Sequence, residues 1–248
     1  MRALASIHSH SRRRPSRTPG SSIAILVEGK VTEPEYLDAL RKALGIPKGL
    51  VEIEKSRCTD ANGIVGEARE LLAKSSKKRG GENFDEIWVV ADAESEHENG
   101  SSENISHAIN QAGDDVHLAL DSPSIEYWFL LHCVRTTRDF PTAADVIAEL
   151  RRHWPGYSKQ SRKLDWSALI ERTEPAMQNA ACVRRMRRGA RASRPLADMD
   201  VLAAKLGSMG KQSIPRAEDK VATHRSAFEP PTCKDLYSWE RLHQNLSQ

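Results

Sequence analysis

Two apolar segments of the chain end in acidic residues of a kind that binds metal ions. The stretch ILVEGKVTEPEY at 25–36 places Glu28 directly after an apolar run and Lys30 two residues further on. Asp92 and Glu94 follow a second apolar run, EIWVVA, and their i, i+2 spacing puts both side chains on one side of an extended chain. Because Mg²⁺ prefers carboxylate oxygens and keeps several waters, two or three such acids are enough for a magnesium site, in which Mn²⁺ could substitute.

Glu28 and Lys30 add further requirements of phosphodiester chemistry. Glu28 could complete the metal shell, or it could remain unliganded and take a proton from water or from a sugar hydroxyl. Lys30 lies beside the turn into the next helix, where a phosphate oxygen would meet a cation together with backbone N–H donors. The same residue types also occur where strand ends are simply polar, and the pattern alone leaves that structural interpretation open.

Alternating strands and helices predict how the acids come together. Strands are expected at 22–28, 50–55, 86–91 and 116–120, each followed by a helical pattern. This order predicts an α/β fold with a mostly parallel four-stranded sheet, helices on both faces and right-handed crossovers. Sites in such sheets lie at the carboxyl ends of strands, so one rim is expected to collect four acids: Glu28, Asp92, Glu94 and Asp121.

Two helix starts carry cap signals. Thr32 and Glu35 predict a capping box for the first helix. Ser122 is expected to be the N-cap of the strongly apolar helix IEYWFLLHC, with Pro123 at its first position. Glu126 then falls in the first turn of that helix, where an acid has a favourable interaction with the helix dipole. Glu126 therefore has a local reason to be present as well as a possible catalytic role.

Beyond residue 140 the pattern becomes helical and includes a basic cluster. Helices are expected at 141–154, 165–188 and 195–207. Four arginines near the end of the second helix could contact the phosphates of RNA or DNA, or could form a solvated charge run: Arg184, Arg185, Arg187 and Arg188. His132, on the apolar helix, is expected to be a core histidine with satisfied hydrogen bonds.

The expected domain organisation has four parts. Residues 1–20 contain five arginines and no acid, and without an apolar segment they predict a disordered basic arm and not a secretory signal. An α/β domain is expected at 21–140, a helical extension packed on it at 141–210, and an extended C-terminal segment at 211–248. The chain carries a formal charge of +3, so the arm leaves about −2 for the remainder, and nucleic acid would have to bind to local patches.

Composition excludes several classes of protein. No apolar run approaches the ~20 residues that span a bilayer. The four cysteines are scattered, without the spacing of a zinc site or a disulfide framework. These features predict a cytoplasmic protein without a membrane partner.

Three sequence blocks resemble the RloB-like family, a Toprim-related group found in bacterial and archaeal defence loci. They are ILVEGKVTEPEYLDAL at 25–40, FDEIWVVADAE at 84–94 and DSPSIEYWFLLHC at 121–133. The resemblance implies a Toprim-like fold in which one glutamate and an acidic pair bind Mg²⁺ and support phosphodiester cleavage. By position, Glu28 takes the role of the glutamate, Asp92 and Glu94 form the acidic pair, and Glu126 matches the acid of the third block.

The resemblance also implies a biological setting. Such proteins are thought to work beside an ATPase partner of AAA or ABC type that restrains or triggers them. The expected function is therefore a Mg²⁺-dependent nuclease that cleaves RNA or DNA as the effector of an anti-phage abortive-infection system. The family's acidic pair is usually Asp-x-Asp, and Glu94 departs from it, as Ser122 departs from the usual Asn. The departure at Glu94 favours the alternative, a catalytically inactive Toprim-like subunit for binding or sensing.

Overall fold

The computed structural model describes residues 22–77, 84–93, 101–159, 161, 164–187, 195–212 and 214. The expected basic arm and nearly all of the expected C-terminal segment lie outside these residues. In chain order the described elements are β1 (Ile23–Val27), α1 (Thr32–Ala43), β2 (Val51–Lys55), α2 (Ala61–Lys77), β3 (Glu86–Asp92), α3 (Ser101–Ala112), β4 (Val116–Ser122), α4 (Glu126–Cys133), α5 (Ala143–His153), α6 (Ser167–Ile170), α7 (Thr173–Arg187), β5 (Leu196–Ala197) and α8 (Met199–Met209).

The described strands form one mixed sheet in the order β2-β1-β3-β4-β5. β1 to β4 pair in parallel, which confirms the α/β class and the mostly parallel sheet. The expected count of four strands is wrong, because β5 pairs antiparallel with the end of β4. β5 has only two residues, Leu196 and Ala197, and a strand of this length has no alternation by which a sequence pattern could reveal it.

β1 lies inside the sheet, as its continuous apolar run predicts. All five of its residues are buried, and it pairs with β2 on one side and with β3 on the other. The register aligns Val27 with Val90, so the chain leaves β1 close to the point where it leaves β3. Because parallel strands end at the same edge of a sheet, Glu28 and Asp92 reach a common rim.

Helices cover both faces of the sheet. On one face, α2 and α3 pack against side chains such as Ala24, Leu26 and Val89. On the other face, α1 and α4 share a larger core with α5 to α8, in which Ile25 and Leu202 belong to the same buried cluster. The helices after residue 140 thus bury their apolar sides against the sheet layer. None of the described helices combines the length and apolar character that crossing a membrane requires.

The two expected helix caps are wrong. Val31 is the N-cap of α1, and the Thr32 hydroxyl makes no cap but donates to the backbone carbonyl of Lys159 at 2.9 Å. Ser122 belongs to β4, since pairing with β5 extends the strand past its apolar run. α4 begins only at Glu126, after a cis peptide bond between Ser122 and Pro123.

His132 is a core histidine, as expected. Its side chain is fully buried, and its Nδ1 lies 2.9 Å from the backbone carbonyl of Trp128. Burial lowers the pKa of His132 to about 3, so the ring is neutral at physiological pH. The ring packs edge-on against Trp128 and Tyr36 in the core between α1 and α4.

Candidate functional site

Asp92 and Glu28 meet at the carboxyl edge of the sheet. Oε2 of Glu28 accepts a hydrogen bond from the backbone N–H of Asp92 at 3.1 Å, which directs the Glu28 side chain across the end of β3. Oδ1 of Asp92 accepts from the backbone N–H of Ile125 at 2.9 Å and so satisfies a donor just before α4. These bonds fix the two acids relative to β1, β3 and α4, while Oδ2 of Asp92 faces a different group.

That group is the ammonium of Lys159, which reaches the rim from the segment after α5. Its Nζ lies 4.0 Å from Oδ2 of Asp92 and 3.6 Å from Oε1 of Glu126. Burial lowers the pKa of Lys159, but the neighbouring carboxyl groups outweigh this effect and raise it. Lys159 is therefore a cation held by acids from two different elements.

Glu126 is fully buried and held by donors on both oxygens. Oε2 accepts from the Ser124 hydroxyl at 2.5 Å, and Oε1 accepts from the Tyr157 hydroxyl at 2.7 Å. Lys159 adds an ion pair at Oε1. These partners explain how a carboxyl group with no solvent exposure is tolerated at the start of an apolar helix. They also connect α4 to the segment that carries Tyr157 and Lys159.

Glu33 is a fourth acid at this rim. Its side chain is 4% exposed and lies over the turn at Gly29, where a Cβ atom would overlap its carboxyl group. Burial raises the pKa of Glu33, and the backbone N–H groups of Glu33 and Gly29 and the charge of Lys159 counteract this only partly. The absence of a side chain at Gly29 is what allows a carboxyl group to approach the backbone of this turn.

We refer to Glu28, Glu33, Asp92 and Glu126 as the acidic cluster. Burial raises the pKa of Asp92 well above its usual value, and the three other acids add to this while Lys159 opposes it. The side chain of Asp92 nevertheless keeps 18% of its surface exposed. Three of these carboxyl groups, those of Glu126, Asp92 and Glu33, act on the Lys159 ammonium, and a further positive charge at this rim would relieve the repulsion within the cluster.

Asp121, another acid expected at the rim, is buried near the end of β4. It was expected to follow its strand but lies within β4, in register with Asp92. It is 1% exposed, and within the described part of the chain neither of its side-chain oxygens forms a hydrogen bond of ordinary geometry, although the backbone N–H groups of Asp198 and Met199 face it and act to lower its pKa. Burial raises its pKa well above the usual value, and the charges of Asp198 and Asp92 raise it further.

The structure describes only two of the three expected metal ligands, Glu28 and Asp92. Glu94 lies outside the described residues, so the structure does not test the spacing of the Asp92–Glu94 pair. The described residues contain no group of three or more His, Cys, Asp or Glu side chains arranged to hold a metal ion. Lys30 is exposed at the turn after β1. Metal binding therefore remains a prediction that rests on the acids at this edge.

The arginine cluster does not present one uniform surface. The Arg184 guanidinium donates to the backbone carbonyl of Ala197 and to Oδ1 of Asp200, both at 2.7 Å, and pairs with Asp198 at 3.3 Å. Arg185 is exposed. The side chain of Arg187 and all of Arg188 lie outside the described residues. Arg184 thus ties α7 to α8, and the nucleic-acid role of the cluster stays a prediction.

Sequence reasoning missed Glu33, Tyr157 and Lys159. Glu33 stands in the quoted stretch after β1, and the glycine four residues before it was the available signal for a close approach. Tyr157 and Lys159 follow Pro155 and Gly156 in an irregular segment without periodicity. Nothing in their local sequence indicates that they contact the carboxyl edge of the sheet, where Glu126 lies more than thirty positions earlier in the chain.

A family model described as RloB-like protein matches residues 23–206 of the chain, from β1 to α8. This protein belongs to the RloB-like family. The matched region of this RloB-like chain contains the acidic cluster as well as Tyr157 and Lys159. Neither curated proteins nor solved structures offer a match. The family expected from the three sequence blocks is confirmed, while a Toprim-like fold and the activity remain predictions.

Proposed function

We propose that this RloB-like protein is a divalent-metal-dependent nuclease of Toprim type that cleaves phosphodiester bonds in RNA or DNA. The observation that supports this most is the convergence of the acidic cluster at the carboxyl edge of a parallel sheet, where α/β proteins bind ligands. Its acids come from the residue that follows β1 and from α1, β3 and α4. The other three acids each raise the pKa of Asp92, so the four carboxyl groups are close enough to interact electrostatically.

The donor set fits a hard divalent cation such as Mg²⁺, with Mn²⁺ as a substitute. Oδ2 of Asp92 and Oε1 of Glu126 already face a positive charge, and Asp92 is partly exposed. Mg²⁺ needs only one or two carboxylates because it keeps much of its water shell. Asp92, with Glu28 beside it, would hold the ion, and Glu94 is the proposed third ligand. When bound, the ion would supply charge stabilisation to the reacting phosphate.

The residues of the chain have separate roles in this proposal. Glu28 is half-buried and anchored through Oε2, so it can serve as a ligand or take a proton from an attacking water or hydroxyl. Lys30, exposed on the following turn, would hold a phosphate oxygen. Glu126 is saturated by Ser124, Tyr157 and Lys159, which favours an orienting role for it over contact with substrate.

The biological setting is part of the same proposal. The substrate would be RNA or DNA, with Arg185, Arg187 and Arg188 as phosphate contacts. The protein would act in the cytoplasm as the effector of an anti-phage abortive-infection system and would be controlled by an AAA or ABC-type ATPase. Support for this comes from what the family resemblance implies.

Cleavage by the purified full-length chain tests the proposal. End-labelled RNA and DNA are incubated with the protein in Mg²⁺, Mn²⁺ or EDTA. Cleavage is expected only with a divalent ion, and Glu28→Gln and Asp92→Asn should each abolish it. Glu54→Gln, which changes an exposed acid on the edge strand β2, is the matched control and should cleave normally. Equal cleavage by the wild type and the Asp92→Asn variant would contradict the proposal.

A second candidate is a catalytically inactive subunit for binding or sensing. It is favoured by the ion pairs of Lys159, which already neutralise part of the acidic cluster without any metal. This candidate predicts nucleic-acid binding that is indifferent to Mg²⁺, and no cleavage under any condition. A filter-binding assay run beside the cleavage assay separates the two candidates.

A further inference from the structure

Lys159 places its ammonium among the carboxyl groups of the acidic cluster. Its ammonium lies within 4.0 Å of both Asp92 and Glu126, and the charge of Glu33 also acts on it. Across the sheet, Lys205 forms a simpler pair with Glu86. Lys159 therefore differs from Lys205 in that three acids interact with its ammonium.

Hydrogen bonds hold the backbone around Lys159 in place, whereas its side chain is partly exposed. Its carbonyl accepts from the Thr32 hydroxyl at 2.9 Å, and two residues earlier the Tyr157 hydroxyl binds Glu126. The backbone is thus tied to α1 and α4. The side chain, by contrast, is 44% exposed and has four flexible carbons. The ammonium can move into solvent without any displacement of the backbone.

We propose that Lys159 is the resident counter-cation of the acidic cluster, that an incoming divalent metal displaces its ammonium from Asp92, and that Lys159 thereby sets the metal affinity of the site. The inference rests on the proposed function only in that it requires metal binding at the cluster. It names a residue that neither the sequence blocks nor the proposed ligand set includes.

The physical basis is competition between two cations for the same carboxylate oxygens. Metal binding must break the interaction of Lys159 with Asp92, and the bound ion is then repelled by any ammonium that stays nearby. The lost ion pair and the repulsion each subtract from the free energy of metal binding, and so the observed affinity is weaker than it would be without Lys159. A neutral side chain at position 159 removes both costs, and because the lysine is partly exposed we expect metal to bind about three- to tenfold more tightly.

Manganese titration of the EDTA-treated full-length protein, without nucleic acid, measures this effect. Free Mn²⁺ is followed by electron paramagnetic resonance for the wild type, Lys159→Met, Lys159→Gln and Lys159→Arg. The two neutral variants should bind Mn²⁺ more tightly, and the arginine variant should resemble the wild type. Lys205→Met, which breaks a lysine–glutamate pair away from the cluster, is the control and should leave the affinity unchanged.

Thermal unfolding provides a second measurement that does not depend on titrated affinity. In EDTA, Lys159→Met should unfold at a lower temperature than the wild type, because Asp92 and Glu126 lose their counter-charge. Saturating Mn²⁺ should then raise the unfolding temperature more in the variant than in the wild type.

The outcomes separate this inference from the proposed function. Tighter Mn²⁺ binding by the neutral variants, with no cleavage of nucleic acid by the wild type, would support the role of Lys159 and contradict the nuclease. Cleavage that depends on Asp92, with the same Mn²⁺ affinity in wild type and Lys159→Met, would overturn the role of Lys159 alone. Weaker binding by the neutral variants, or no binding by any protein, would also overturn it.

Discussion

The hydrogen bond between Tyr157 and Glu126 gives the sharpest quantitative prediction. Tyr157 is 2% exposed and Glu126 is fully buried, and the hydroxyl donates to Oε1 at 2.7 Å. Tyr157→Phe removes this donor and leaves the shape of the ring nearly unchanged. Among the described residues, the buried carboxyl group then keeps the Ser124 hydroxyl and the Lys159 ammonium as partners.

The cost follows from the kind of bond that is lost. A hydrogen bond to a charged group contributes about 1.5–3 kcal/mol, and no water can replace a donor at a site without exposure. We therefore expect Tyr157→Phe to lower the free energy of unfolding by about 2 kcal/mol, or the unfolding temperature by roughly 4–8 °C for a domain of this size.

The chain contains a matched control for this substitution. Tyr127 is also buried, but its hydroxyl donates at 2.6 Å to a neutral acceptor, the backbone carbonyl of Thr136. Tyr127→Phe should cost about 1 kcal/mol. Urea unfolding followed by circular dichroism measures both variants. If Tyr157→Phe costs no more than Tyr127→Phe, the bond to Glu126 does not hold this segment on α4 as we describe.

Three further substitutions test other parts of the structure. Gly29→Ala places a Cβ in the space of the Glu33 carboxyl group and should lower the free energy of unfolding in urea by about 1–3 kcal/mol. Gly49→Ala, where the added Cβ meets open space, is the control and should change it by less than about 0.5 kcal/mol. His132 has a pKa of about 3 in the folded protein and 6.5 in the unfolded chain, so the unfolded chain takes up the proton first as the pH falls. The free energy of unfolding should therefore fall by about 1.4 kcal/mol for each pH unit between about 6 and 3. His132→Gln should remove this dependence between pH 4.5 and 6 in urea unfolding. Arg184→Met should lower the free energy of unfolding by about 1–2 kcal/mol because Asp198 and Asp200 lose this partner, whereas Lys42→Met, which breaks an exposed pair with Asp38, should cost less than about 0.5 kcal/mol. Equal costs for the two variants would contradict our assignment of Arg184 to the fold.

The sheet could be predicted because its signal is local. The continuous apolar run of β1 requires cover on both faces, and the alternation of strands and helices requires parallel neighbours. From these two rules alone, Glu28 and Asp92 were expected at one edge, and the backbone hydrogen bond between them agrees with that expectation. Half of the acidic cluster was thus accessible to pattern reasoning.

The remaining contacts depend on chain segments that are far apart in the sequence. Thr32 has the local pattern of a helix cap, but its hydroxyl donates to the carbonyl of Lys159, 127 positions away. Ser122 has the pattern of a second cap, but strand pairing with Leu196 keeps it extended. In both cases a tertiary partner overrides a local preference, and no local pattern reports on such a partner.

Burial at the start of α4 was equally hidden. An acid in the first turn of a helix is ordinarily explained by the helix dipole, and Glu126 satisfied that explanation. The structure shows instead a carboxyl group without exposure, whose donors Ser124 and Tyr157 come from both sides of the helix in sequence. The number of donors on a carboxyl group can be counted only when the fold is known.

The most direct test of the account is the location of a divalent metal. Crystals of the full chain are soaked in Mn²⁺, and an anomalous difference map is calculated at the manganese edge. We predict a peak at coordination distance from the Asp92 carboxylate, with the Lys159 ammonium moved away from it, and the absence of that peak in Asp92→Asn. A map without a peak at this edge, in which Lys159 still bridges Asp92 and Glu126, would contradict the central claim.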